Sequence, residues 1–97
     1  MKTISNKQLT IQVSPHGAEL CSIVANGKEY LWQADPAFWK RHSPVLFPIV
    51  GSVWENQYRN EGIAYTLSQH GFARDMEFTL VSEKEDEIIV DKFEKRY

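Results

Sequence analysis

Apolar and polar residues alternate with a period of two along much of this chain, which predicts strands rather than helices. Leu9, Ile11 and Val13 alternate with Thr10, Gln12 and Ser14 until Pro15-His16-Gly17 punctuates the pattern. Ala18, Leu20, Ser22 and Val24 then alternate with Glu19, Cys21, Ile23 and Ala25, a strand with apolar residues on both faces. Asn26-Gly27 suits a two-residue hairpin turn, because both positions accept positive φ. Residues 28–32 then read as the returning strand. A second hairpin is expected from residues 57–59 and 63–67 around Asn60-Glu61-Gly62, and further strands over 76–81 and 87–90. Six or seven short strands without a long helix predict an all-β fold, a sheet or a sandwich.

The alternation fails between Gln33 and Val53. Asp35-Pro36 can start a short helical turn through Ala37, Phe38 and Trp39, with Asp35 as cap and Pro36 in the first position. Pro44 and Pro48 bracket Val45-Leu46-Phe47, and a proline removes a donor from any central ladder. An extended apolar loop ending at Gly51 is the expectation. Residues 91–97 alternate charge with Phe93 and Tyr97 and carry no clear terminator.

With 97 residues the chain reads as one domain over 1–97, able to bury roughly 60–65% of its unfolded surface and leaving little margin for a deep pocket. Its 42% apolar content supplies a core, and a net charge of −2 offers no electrostatic footprint for nucleic acid or an acidic membrane. The apolar run over 45–50 is short and interrupted by Pro48, so no membrane span is expected. Met1 to Asn6 lacks the apolar stretch of a signal peptide. A single cysteine excludes an intrachain disulfide framework and fits a reduced, cytoplasmic setting, with Cys21 as a buried, inert thiol.

Candidate chemistry centres on His70-Gly71-Phe72-Ala73-Arg74. Glycine lets the backbone turn sharply beside an imidazole whose ordinary pKa suits proton transfer near neutrality. If the segment is extended, His70, Phe72 and Arg74 share one face and could bind a polyhydroxylated ring. The alternative is a surface-turn histidine and an arginine paired to Asp75 or Glu77. Of the three tryptophans, whose faces can stack on sugars or fill a core, Trp54 follows Gly51-Ser52-Val53 and is the one expected to face solvent; core or edge packing suits Trp32 and Trp39. One cysteine and three scattered histidines give no metal-ligand spacing, so neither a metal nor a cofactor is expected. Nothing matches a phosphate loop or a serine triad.

Four strings occur in order: Gly17-Ala18-Glu19-Leu20, Glu29-Tyr30-Leu31-Trp32, the block from Pro44 through Phe47-Pro48 to Gly51, and His70-Gly71-Phe72-Ala73-Arg74-Asp75. In that order the chain resembles the aldose 1-epimerase family, nearest the branch of LacX-related proteins and glucose-6-phosphate 1-epimerases. The resemblance implies the N-terminal part of a galactose mutarotase-like β-sandwich, incomplete relative to the family. It also implies chemistry at the anomeric carbon of a sugar or sugar phosphate: a base takes the C1 hydroxyl proton, an acid protonates the ring oxygen, and the opened ring recloses as the other anomer. His70 inherits a catalytic contact to the ring oxygen or a hydroxyl. Arg74 inherits a hydroxyl or phosphate contact, and Arg41 lies near where the phosphosugar branch carries an arginine. Two departures accompany the match. Ser52 stands where many members have arginine, and the family's second histidine and carboxylate base belong to a part this chain does not contain; Glu83, Glu85 and Glu87 match no motif for that role.

Three readings follow. The chain is an epimerase-family protein with incomplete catalytic equipment, or it is a carbohydrate-binding β-module in which Trp54, His70 and Arg74 hold a sugar without turnover. In a third, uncovered sheet edges and the apolar 45–50 run make it a homo-oligomer.

Overall fold

The structure, a computed structural model, describes residues 1–91; the charge alternation around Phe93 and Tyr97 lies outside the described residues. Asn26 and Gly27 both take left-handed backbone, with φ of 52° and 74°, and the pairs Val24–Glu29 and Ala25–Lys28 close around them. That is the two-residue turn whose twist matches antiparallel strands. It joins β3 (Glu19–Ala25) to β4 (Lys28–Glu29) at the edge of a four-stranded antiparallel sheet in the order β1-β2-β3-β4. Here β1 is Lys2–Ser5 and β2 is Thr10–Ser14. The Asn6 side chain nucleates the first turn, its Oδ1 accepting from the Gln8 and Leu9 amides at 2.8 Å each.

The returning strand expected over 28–32 stops after Glu29, and a side chain explains why. The Glu29 carboxylate accepts from Ser22 Oγ, from the Ile23 amide at 2.8 Å and from the Leu31 amide at 3.0 Å. It takes over donors that a longer ladder would engage, and the chain turns away beyond Tyr30. Those bonds, the Ser22 hydroxyl foremost, hold the Glu29 carboxyl below its ordinary pKa.

The second hairpin forms as expected from β5 (Gln57–Asn60) and β6 (Ile63–Thr66), with Glu61 and Gly62 in left-handed turn positions and Tyr58 stacked on Tyr65 at 5.2 Å. A third hairpin pairs β7 (Thr79–Glu83) with β8 (Ile88–Asp91). β7 begins later than the residue pattern indicates, because residues 76–78 are extended but bonded elsewhere. Gly17 donates to the Met76 carbonyl at 2.6 Å, Phe78 donates to the Pro15 carbonyl at 2.8 Å, and His16 bridges Glu77. Between Gln33 and Val53 the regular features are a parallel bridge from Phe47 to Gly71 and the turn at Asp35, whose carbonyl accepts from Phe38 and Trp39 and whose Oδ1 accepts from Ala37. The apolar run that follows contains a cis Phe47–Pro48 bond.

No α-helix occurs among the described residues, and the architecture is all-β, as the alternation predicts. Among the described residues no helix is long and apolar enough to cross a membrane. The core is thin: Cys21, Leu67 and Ala73 are the buried apolar residues among those described, and none of the three tryptophans is buried. Trp32 and Trp39 are thus not core residues; Trp32 Nε1 donates to the Trp39 carbonyl at 2.8 Å and its ring meets Phe38 edge-on. The molecule is a slab of 53 × 34 × 16 Å. Its accessible surface, 7297 Å² for 11.3 kDa, exceeds the ~5700 Å² of a compact monomer of that mass.

Glu29 supplies a test of the sheet edge. A carboxylate whose folded pKa lies below its unfolded value stabilises the fold above the unfolded pKa, and that contribution fades as pH falls through the folded one. Urea melts of the wild type and Glu29→Gln should therefore differ most near neutral pH and converge in the acid range. A gap independent of pH would contradict the role assigned to this carboxylate.

Candidate functional site

The segment from His70 to Asp75 is not extended. His70 and Gly71 have φ of 62° and 76°, Phe72 is αR, and Ala73–Asp75 forms a 3₁₀ turn. The shared face expected of a strand is thus absent: the tight turn brings His70 and Arg74 to one recess, while Phe72 lines another with Tyr58 and Tyr65. It is held against the Phe-Pro block by backbone bonds: Phe72 and Ala73 both donate to the Phe47 carbonyl, at 3.0 and 3.2 Å, and His70 donates to the Gly51 carbonyl at 2.7 Å. Gly71 is required at this contact. A Cβ there would collide with the Phe47 carbonyl oxygen, which no side-chain rearrangement could relieve. Gly17 does the same on the other side, its Cα lying where a Cβ would strike the Arg74 carbonyl.

This anchoring fixes the imidazole. The Gly51 amide donates to His70 Nδ1 at 2.8 Å. With Nδ1 an acceptor, the neutral ring carries its proton on Nε2, which makes Nε2 a donor. His70 lines an open recess of about 440 Å³ with Trp39, Pro44, Leu46, Gln69 and Arg74, a size within the ~300–1000 Å³ of small-molecule sites. Arg74 pairs with neither Asp75 nor Glu77. Its Nη2 donates to the Gln69 carbonyl at 2.9 Å, while its Nε is buried without a hydrogen-bond partner. A buried donor left unmade costs about 1–3 kcal/mol.

The remaining candidates sit around the recess rather than in it. Arg41 donates from Nη2 to Asp75 Oδ1 at 3.0 Å, a partly exposed ion pair beside the 3₁₀ turn; such pairs contribute little stability. Trp54 is 85% exposed, as expected, but opens the 3₁₀ turn Trp54–Asn56 and does not line the recess. The aromatic beside His70 is Trp39, half exposed. It was not singled out from the sequence, although the Asp35 cap that places it was readable. Among the described residues, no Asp or Glu lines the recess.

Comparison with known proteins gives one family. The sequence model of the aldose 1-epimerase family matches residues 1–96. The plasmid-borne protein LacX of Lactococcus lactis subsp. lactis is 41% identical over 91 residues, which cover 88% of this chain and 30% of that protein; the chromosomal LacX is 40% identical over the same extent. A galactose mutarotase-related enzyme from Lactobacillus acidophilus superposes with a TM-score of 0.89 at 41% identity, over 92% of this chain and 30% of the other. A galactose mutarotase-like protein from Lactobacillus casei ATCC 334 gives 0.82 at 41% identity, over 88% and 30%. The chain thus spans about 30% of the length of the relatives it matches.

The close approach at Gly71 makes a measurable demand. Gly71→Ala should destabilise the fold by about 3 kcal/mol, ~1–2 from the left-handed backbone and the rest from the Phe47 contact. Gly62→Ala has similar φ but open space around it, and should cost only the ~1–2 kcal/mol of conformation. Chemical denaturation of both variants checks this, and equal losses would remove the Phe47 contact from the account.

Proposed function

Because the chain belongs to the aldose 1-epimerase family, we infer that its recess takes the pyranose ring of an aldose and that its function is interconversion of the α and β anomers by acid–base ring opening. One observation carries the assignment of roles. The Gly51 amide on His70 Nδ1 makes Nε2 the donor nitrogen of the neutral ring, the arrangement needed to hydrogen-bond the ring oxygen and give it a proton as the C1–O5 bond breaks. The Arg74 guanidinium, which also lines the recess, is a second donor group suited to a sugar hydroxyl. Trp39 offers an apolar face for the C–H side of the ring.

Ring opening also needs a base for the C1 hydroxyl. No carboxylate lines the recess among the described residues, so His70 and Arg74 supply the acid side of the reaction there. That same observation favours a second reading, a carbohydrate-binding module in which His70, Arg74 and an aromatic hold the sugar without turnover.

Two-dimensional exchange NMR on glucose and galactose separates the two. The acid–base reading predicts anomer exchange above the buffer rate, an enhancement up to the ~10²–10⁴-fold of one placed group, and its loss in His70→Ala. Exchange at the buffer rate, together with sugar-induced shifts at His70 and Arg74, would establish the binding reading. Neither exchange nor shifts at high millimolar sugar would overturn both.

A further inference from the structure

Away from the recess, the fold assembles three metal-ligand types that lie far apart in sequence. Glu19 and Cys21 stand two residues apart on β3, Cys21 at the bulge between the pairs Leu20–Val13 and Ser22–Gln12, and His42 reaches them from the loop after the Asp35 turn. One donor atom from each lies within 4.8 Å of the other two. Cys21 is buried, and the His42 and Glu19 side chains are only 23% and 16% exposed. The loop is held there by bonds that do not involve the cluster's donor atoms. Gln33 Nε2 donates to the Cys21 carbonyl at 3.1 Å, Trp32 Nε1 donates to the Trp39 carbonyl, and neighbouring Arg41 is tied to Asp75. His42 Nδ1 and Glu19 Oε2 stand 3.4 Å apart, a long contact for an ion pair.

We propose that Glu19, Cys21 and His42 form a site for a divalent transition-metal ion of the Zn²⁺ type, with a fourth position open to water. A tetrahedral ion with bonds of ~2.3 Å to sulfur and ~2.0–2.2 Å to nitrogen or oxygen holds its ligand atoms roughly 3.3–3.8 Å apart. The three donors need to close by only about 1 Å to meet that geometry. Thiolate and imidazole select Zn²⁺ or Co²⁺ over Mg²⁺ and Ca²⁺, which prefer oxygen. Without metal, burial first and the Glu19 charge second hold the Cys21 thiol above its ordinary pKa, so it stays protonated. A bound ion would cross-link β3 to the loop three residues beyond Trp39, coupling metal occupancy to the wall of the recess.

Cobalt(II) titration of the full reduced chain, followed by visible and near-ultraviolet absorbance, tests the site. The expected result is a thiolate-to-cobalt charge-transfer band that saturates at one equivalent and is bleached by Zn²⁺. Cys21→Ser should abolish the band, and His42→Ala should weaken cobalt binding at least about 10-fold, the lower limit for losing even an outer-shell partner. No band at millimolar Co²⁺, a band surviving Cys21→Ser, or unchanged affinity in His42→Ala would overturn the proposal. A second measurement does not depend on the variants folding. Zn²⁺ added to the unaltered chain should first shift amide resonances at residues 19–22 and 41–43. Shifts centred on the His16–Glu77 pair instead would equally overturn it.

Discussion

The placement of one carbonyl organises this molecule. The Phe47 carbonyl accepts from both Phe72 and Ala73, and Gly71 passes so close that no side chain fits between. Two N–H groups that would otherwise be unpaired in an irregular turn are satisfied there, which an apolar loop with little regular structure needs. On the other side the same turn lies against Gly17 and, through residues 76–78, is bonded to the Pro15–Gly17 corner of the four-stranded sheet. The sheet, the Phe-Pro loop and the histidine turn are joined by backbone contacts at glycines more than by side-chain burial.

That matters because burial is scarce. A slab 16 Å thick with three buried apolar side chains among the described residues cannot draw much on a hydrophobic interior. Phe38, Val50 and Trp54 are more than three-quarters exposed. The accessible surface is correspondingly larger than that of a compact monomer of this mass. The recess holds donors in His70 and Arg74, an aromatic in Trp39 and, among the described residues, no carboxylate.

The alternation of β2 and β3, the Asn26-Gly27 and Glu61-Gly62 turns and the Asp35 cap were legible because each is set by residues within a few positions of one another. The four strings that carry the family resemblance were legible too, and the family is shown. What the sequence could not convey was set by distant partners. β4 is cut short by a carboxylate that bonds across to Ser22 and Ile23. Residues 76–78 are claimed by the Pro15–Gly17 corner before β7 can begin. β1 escaped notice because Ile4 is its one large apolar residue. His70 and Gly71 adopt positive φ, a choice local propensity leaves open for histidine, so the strand-like face of His70, Phe72 and Arg74 became a turn. Arg74 and Asp75, adjacent in sequence, take different partners, Gln69 and Arg41. The convergence of Glu19, Cys21 and His42 is tertiary throughout.

The account rests on the orientation that the Phe47–Gly51 loop imposes on His70, and the imidazole tautomer reports it directly. Long-range nitrogen–proton correlation spectra of the chain at mildly alkaline pH should show an unprotonated, hydrogen-bonded Nδ1 and a protonated Nε2, with a scalar or exchange link from Nδ1 to the Gly51 amide. A proton on Nδ1, or rapid averaging between the two tautomers, would contradict it.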